Sequence, residues 1–151
     1  MTEENKKKEE NLKKMTLSEI KSKGIKLDFK GRLNNAGPLQ RLYLKVVKVW
    51  TIKQKGSLLI RLTLLLDRTF FNALDVPLEG KDKFIEDLTK FPRHRVIKIN
   101  GLKYTLLNVE QRSTRVVETT IGLNDVGDVT LADLPYRICD AWENILDSLS
   151  A

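Results

Sequence analysis

The stretch that decides the fold reads RHRVIKINGLKYTLLNVEQR and runs from Arg93 to Arg112. Its middle is Asn100-Gly101, the dipeptide best suited to a tight type I′ turn, because both central residues of that turn need positive φ. The flanking segments mix β-branched and aromatic residues with Arg and Lys. The stretch therefore predicts a β-hairpin that packs one face on a core and presents positive charge on the other.

Alternating hydrophobicity predicts further strands on both sides of this hairpin. In the segment 58–66 every residue of one parity is Leu or Ile, whereas the other parity mixes Leu59 and Leu65 with Arg61 and Thr63. The segment 40–53 changes its inner face near Val46-Val47, as a β-bulge allows. Trp50 shares a strand face with Leu44, which favours its burial. Residues 25–29, 69–74 and 115–121 are predicted as additional strands, and the apolar spacing before Pro92 predicts a helix.

The two ends of the chain differ from this β-rich centre. Residues 1–15 are mostly Lys and Glu, which predicts a disordered charged arm or a frayed helix. A possible capping box of Thr16 and Glu19 starts a short helix. Residues 131–151 carry apolar side chains at helical spacing, which predicts an amphipathic C-terminal helix.

The order of these elements predicts the fold class. Three strands, a helix and two strands, in residues 16–130, match a mainly β domain, a five-stranded OB-like Greek-key barrel with a helix between strands 3 and 4. The C-terminal helix is appended to it. The alternative is an antiparallel α+β sandwich, because the same strands could form an unrelated sheet.

Two short motifs resemble OB-fold proteins of the replication protein A type. The turn Asp67-Arg68-Thr69 resembles the Asp-x-Thr-Gly turn of that family, with Phe70 in place of glycine. The segment from Val96 to Leu102 resembles the family's fourth strand and turn. The resemblance implies binding of single-stranded nucleic acid, and it implies that the C-terminal helix lies where small subunits of that family associate.

Charge and composition narrow the class of partner. The net charge is +7, and residues 31–130 alone carry +7 while residues 131–151 carry −3, so the centre of the chain would attract a polyanion. The single cysteine, Cys139, cannot form an internal disulfide, which predicts a reducing compartment, cytoplasmic or nucleoid/nuclear. No apolar run is long enough to span a bilayer, so no membrane association is predicted.

Basic and aromatic residues of the predicted strands are the candidate binding residues. Single-stranded nucleic acid is held by cations along its backbone and by flat side chains under its bases. We expect a non-enzymatic module that prefers DNA to RNA. The residues predicted to contact the strand are Tyr43, Lys45, Lys48, Lys53, Arg61, Arg68, Arg93, Arg95, Lys98, Lys103, Tyr104 and Arg112.

The sequence contains no comparable pattern of residues that would indicate catalysis. The only histidine, His94, lies between two arginines, which disfavour its protonation, and nothing nearby in sequence completes a triad. One His and one Cys cannot form the usual zinc cluster. No glycine-rich phosphate loop is present. The sequence therefore predicts no catalytic residue, no metal and no cofactor.

The C-terminal helix offers a different possible function. Its apolar stripe includes Ile138, Trp142, Ile145 and Leu149. This stripe either covers the open end of the barrel or docks with a partner protein or a second copy of the chain. In the second case the chain is a small structural subunit of a replication, transcription or RNA-processing complex.

Overall fold

The fold was examined in a computed structural model that describes residues 3–51, 57–65, 81–90, 96–99 and 102–150. Within these residues the chain forms six helices and five strands. In chain order they are α1 (Glu3–Lys14), α2 (Leu17–Ser22), α3 (Phe29–Asn34), α4 (Gly37–Arg41), β1 (Leu44–Thr51), β2 (Leu58–Leu65), α5 (Lys81–Lys90), β3 (Ile97–Ile99), β4 (Leu102–Gln111), β5 (Val116–Asn124) and α6 (Leu134–Ser150). None of these helices is long and apolar enough to cross a membrane.

The N-terminal segment forms the helix α1, which agrees with the second of the two alternatives that its composition suggests. Leu12 and Met15 pack against the core. Arg32 donates two hydrogen bonds to the Glu9 carboxylate, at 2.7 and 3.0 Å. The N–H of Leu131 donates to the carbonyl of Met15 at 2.9 Å. These contacts join residues far apart in sequence, so local composition does not reveal them.

Side-chain caps define the next two helices. The Thr16 hydroxyl accepts a hydrogen bond from the Glu19 N–H at 3.2 Å and begins α2, as the predicted capping box requires. The strand predicted at 25–29 is wrong. The Asp28 carboxylate accepts from the Gly31 N–H at 3.0 Å and starts α3 at Phe29, so a local cap overrides the short alternation.

The strands form one antiparallel sheet in the order β1-β2-β5-β4-β3. The predicted hairpin is confirmed in its pairing, because Ile99 lies opposite Leu102. Its turn, residues 100–101, lies outside the described residues. The register of β1 shifts between Val46 and Lys48, which confirms the predicted bulge.

The predicted closed barrel is wrong, because the described sheet is open and ends at β1 and β3. At the β1 edge the side-chain amide of Asn34 donates to the Val46 carbonyl at 3.0 Å and accepts from the Val46 N–H at 2.8 Å. One side chain thus takes both places that a closing strand would occupy. The coarser prediction, an antiparallel sheet combined with helices, is confirmed. The predicted strand 69–74 lies outside the described residues.

The core lies between the helices and one face of the sheet, called here the inner face. Alternate residues of the strands are fully buried there together with residues of α2, α3, α4, α5 and α6. Those on the strands include Val46, Ile60, Leu62, Leu64, Leu106, Val117 and Ile121, each at most 1 % exposed. The helices therefore form one layer, and the other face of the sheet is left to side chains of opposite parity.

Candidate nucleic-acid interface

The outer face consists of the strand residues whose parity is opposite to that of the core. None of them belongs to the core cluster or packs against it. In the described strands they include Lys45, Lys48, Trp50, Leu59, Arg61, Thr63, Lys98, Lys103, Thr105, Asn108, Glu110, Glu118, Thr120 and Gly122. Five of these fourteen are Lys or Arg, so cations dominate this face.

Trp50 lies on the outer face, which corrects its expected burial in the core. Val46 pairs with Leu62 on the inner face, but after the register shift Trp50 pairs with Leu59 on the outer face. Its side chain is half-buried. The signal was present in the sequence, because the predicted bulge near Val46 reverses the facing of every later residue of the strand.

Two cations lie against the Trp50 ring. The Lys48 Nζ is 4.7 Å from the ring centroid, and the Arg61 Cζ is 5.3 Å from it. Both distances fall within the range of cation–π attraction, which contributes about 0.5–1 kcal/mol at an exposed site. Lys48 and Arg61 also pair directly across the strands, so the ring lies against two adjacent like charges.

The cations of the outer face on β1 and β2 form no ion pair in the described part of the chain, as Lys45, Lys48 and Arg61 show. The charge of Arg61 does act on the Glu110 carboxyl and helps to lower its pKa. We call Lys48, Trp50 and Arg61, the ring and the two cations against it, the Trp50 cluster. Its positive charge is therefore available to an anion from outside the molecule.

Around Arg112, at the end of β4, the net charge of the outer face is closer to zero. Arg112 bridges two carboxylates, at 2.6 Å from Glu110 and 2.8 Å from Glu118. A hydrogen bond from Asn108, and then the charge of Arg112, lower the pKa of Glu110. These pairings occupy Arg112, so its predicted role in holding phosphate loses support.

Lys98 and Lys103 provide charge at the opposite edge of the sheet. They lie opposite each other on β3 and β4. Lys103 approaches Asp125 at 3.6 Å with both side chains about half exposed, so this is a weak pair. Lys98 is exposed and forms no ion pair among the described residues. From β1 to β3 the distance across the sheet is about 19 Å, or four strand spacings.

A shallow, mostly apolar floor joins these two basic edges. Trp50, Leu59, Gly122 and Thr105 form one continuous cross-strand row over four strands. A Cβ at Gly122 would lie 3.0 Å from the Thr105 Oγ1 and 3.4 Å from the Leu59 Cδ2. The glycine therefore leaves room for the side chains of Leu59, Thr105 and Leu107, which lie beside it, and both Gly122 and Thr105 are buried.

The two tyrosines predicted to stack on bases have different environments. Tyr104 is only 2 % exposed, and its hydroxyl donates to the Asn144 Oδ1 at 2.9 Å. Burial raises the pKa of Tyr104 to about 12. Tyr104 is thus a core residue, and its predicted contact with a base is corrected. Tyr43 is 48 % exposed and precedes β1 with a left-handed φ of 56°.

Four of the predicted contact residues, Lys53, Arg68, Arg93 and Arg95, lie outside the described residues. Among those that are described, the structure brings Lys45, Lys48 and Arg61 together on β1 and β2. It places Lys98 and Lys103 at the opposite edge. The predicted set is thus two basic groups separated by the apolar floor.

The residues predicted to dock a partner are buried within this chain. Ile138 and Trp142 are each 1 % exposed and Ile145 is fully buried, all of them in the core cluster. The α6 stripe therefore covers the sheet, which corrects its predicted availability to a partner. The side chain of Leu149 lies outside the described part of the chain.

The described residues provide no evident reactive site. Burial, and then the charges of Glu143 and Asp140, raise the pKa of the Cys139 thiol to about 12. The thiol therefore stays protonated near neutral pH, which suits packing rather than nucleophilic attack. In the part of the chain that the structure describes, no three His, Cys, Asp or Glu residues are grouped as metal ligands would be.

Comparisons of the chain with protein-family models, with curated proteins and with solved structures find no match. The resemblance to OB-fold proteins of the replication protein A type stays a prediction from two short motifs.

Proposed function

We propose that this protein binds single-stranded nucleic acid on the outer face of its sheet and catalyses no reaction on it. The observation that carries the proposal is the Trp50 cluster. It combines an aromatic ring with two cations that form no ion pair among the described residues. Such a cluster matches the two parts of a nucleotide, its phosphate and its base.

The distribution of charge supports a polyanion as the ligand. The chain carries a net charge of +7. The two basic groups of the outer face lie on β1–β2 and on β3–β4, at opposite edges of a sheet about 19 Å wide. A flexible chain of phosphates can contact both groups, and each contact releases counterions from the nucleic acid.

The aromatic ring and the apolar floor support a single strand over a duplex. Bases in a duplex are stacked on one another, whereas a single strand can turn an unstacked base onto a flat side chain. Apart from the Trp50 ring, the row from Trp50 to Thr105 offers mostly apolar side chains of the described strands. Hence a short single strand lying across the strands fits this surface best.

Fluorescence polarisation with labelled oligonucleotides tests the proposal. Single-stranded DNA, single-stranded RNA and duplex DNA are titrated at 50 and 200 mM salt, conditions chosen because phosphate contacts weaken steeply over that range. We expect single strands to bind more tightly than the duplex, with a steep salt dependence. Absence of binding to any single strand at low salt would overturn the proposal.

A pair of matched variants locates the binding surface. Lys48→Gln removes a positive charge from the outer face, and Lys21→Gln removes one from α2 in the helix layer. We expect Lys48→Gln to weaken binding about threefold to tenfold and to reduce the salt slope by about 0.7, the value for one phosphate contact with a single strand. Lys21→Gln should leave both unchanged. Equal losses in the two variants would mean nonspecific attraction to the whole molecule.

The alternative prediction, a structural subunit that docks partners through its C-terminal helix, has no comparable support. Its proposed contact residues Ile138, Trp142 and Ile145 are in the core. A partner could reach them only if α6 left the sheet.

A further inference from the structure

The Trp50 cluster has one property that the proposed function does not use. The protein's own cations lie against the ring, with the Lys48 Nζ at 4.7 Å and the Arg61 guanidinium carbon at 5.3 Å. A base that stacks on this ring must therefore displace at least one of them. The two cations form no ion pair among the described residues, so the ring is the partner that the structure gives them.

We propose that the Trp50 cluster is a site where a nucleobase and the protein's own cations exchange places, an inference that rests on the proposed function. A nucleobase takes the place of Lys48 and Arg61 on the Trp50 ring, and the two displaced cations move to the phosphates beside that base. In the absence of ligand the cations cover the half-buried indole. In the complex the same three side chains hold one nucleotide by its base and its phosphates.

The positions of the two cations suit such an exchange. Lys48 lies two residues before Trp50 on β1, and Arg61 lies opposite Lys48 on β2, so both stems begin beside the ring. Long, flexible stems can reorient without movement of the sheet. The Lys ammonium then meets a phosphate as a point charge, and the Arg guanidinium can meet one through two parallel hydrogen bonds.

The relative strengths of the contacts favour the exchange. A cation–π contact at an exposed site changes an equilibrium constant by about twofold to fivefold. Stacking of a base on an aromatic side chain changes it by about fivefold to 100-fold. Loss of two cation–π contacts together amounts to about fivefold to 30-fold, which stacking of one base offsets, and the new contacts of the two cations with phosphates then favour the exchange.

An oligonucleotide without bases distinguishes this exchange from simple attraction between opposite charges. The probes are an oligo-dT and an abasic oligonucleotide of the same length, which carry equal phosphate charge. We expect the wild-type protein to bind oligo-dT about tenfold more tightly than the abasic strand. In Trp50→Leu the two affinities should become equal, and Trp50→Phe should keep part of the difference because Phe retains a flat ring.

Quenching of tryptophan fluorescence by acrylamide reports the ring directly in the unmodified protein. Trp142 is 1 % exposed, so the change in quenching on binding comes from Trp50. We expect oligo-dT to protect Trp50 from acrylamide, because a base covers the ring. The abasic strand should have the opposite effect, because it attracts the cations away from the ring and provides nothing to replace them.

The outcomes distinguish this inference from the proposed function. Equal affinity for oligo-dT and the abasic strand, with unchanged quenching of Trp50, would overturn the exchange and leave charge-based binding in place. Binding of neither strand at low salt would overturn the proposed function and the exchange together. Because the quenching experiment uses the wild-type chain, a Trp50 variant that fails to fold does not remove the test.

Discussion

The inner and outer faces of the same sheet differ in burial and in composition, although their residues alternate along the same strands. On β2, Leu64 is fully buried while its neighbour Leu65 is 46 % exposed. The inner face is apolar and covered by helices, whereas the outer face carries Lys, Arg and Thr among scattered apolar residues. The inner face therefore determines stability, whereas on the outer face Lys45, Lys48, Lys98 and Lys103 are exposed while Thr105 and Thr120 are buried.

The largest expected effect on the free energy of unfolding comes from truncating a leucine to alanine on the inner face, and the same truncation on the outer face is its control. Leu64→Ala should reduce the free energy of unfolding by about 2–5 kcal/mol, because it removes buried methyl groups and leaves a cavity. Leu65→Ala should reduce it by less than about 1 kcal/mol, since that side chain is already half exposed. Urea denaturation measures both. Similar losses in the two variants would contradict the division into two faces.

The edge of β1 provides the next test, because Asn34 joins the helix layer to the sheet there. Asn34→Ala should reduce stability by about 1–3 kcal/mol, since it leaves the Val46 N–H and carbonyl without their side-chain partner. Asn34→Asp keeps the acceptor and loses the donor, so its loss should be smaller.

Asn35→Ala is the matched control, because Asn35 is exposed at the end of α3. It should change stability by less than about 0.5 kcal/mol. Size-exclusion chromatography adds a second readout: Asn34→Ala exposes a strand edge and should increase self-association. Equal stability of Asn34→Ala and Asn35→Ala would show that Asn34 does not close this edge.

The same contrast explains what the sequence could predict. The hairpin around Asn100-Gly101, the alternation of β2 and the bulge in β1 are local patterns, and all three agree with the described pairing. The facing of Trp50 also follows from a local signal, because the bulge in β1 reverses parity and places Trp50 opposite Leu59 on the outer face. On the outer face, the facing of Lys48 and Arg61 could thus be predicted.

What could not be predicted depends on contacts distant in sequence. Closure of a barrel requires two particular edges to meet, and Asn34 covers one of them from a helix 12 residues away. The α1 helix is held by the pair of Glu9 and Arg32, which are 23 residues apart. Tyr104 belongs to the same class, since its partner Asn144 is 40 residues away.

Raising the pH to alkaline values should have a smaller effect on the free energy of unfolding, and it acts through Tyr104 on the inner face. Since burial raises the pKa of Tyr104 from its ordinary value of 10.0 to about 12, the folded state favours the neutral phenol. Its contribution is complete below about pH 10 and is lost as the pH rises towards 12. Tyr104→Phe cannot ionise and should lack this part of the alkaline loss.

Urea denaturation of wild type and Tyr104→Phe at pH 8 and pH 11 measures the effect. At pH 8 the variant should be about 1 kcal/mol less stable, because it loses the hydrogen bond to Asn144. At pH 11 this difference should shrink or reverse. A constant difference at both pH values would show that Tyr104 does not titrate with a raised pKa.

The smallest expected effect on stability is at the outer face, and there it is paired with a large effect on binding. Arg61→Gln removes a cation that forms no ion pair among the described residues, so its main loss is the contact with the Trp50 ring. We expect a change in the free energy of unfolding of at most about 1 kcal/mol. Affinity for a single-stranded oligonucleotide should fall about threefold to tenfold at low salt, since one charged contact is lost. A variant that lost stability without losing affinity would assign Arg61 to the fold and remove it from the binding surface.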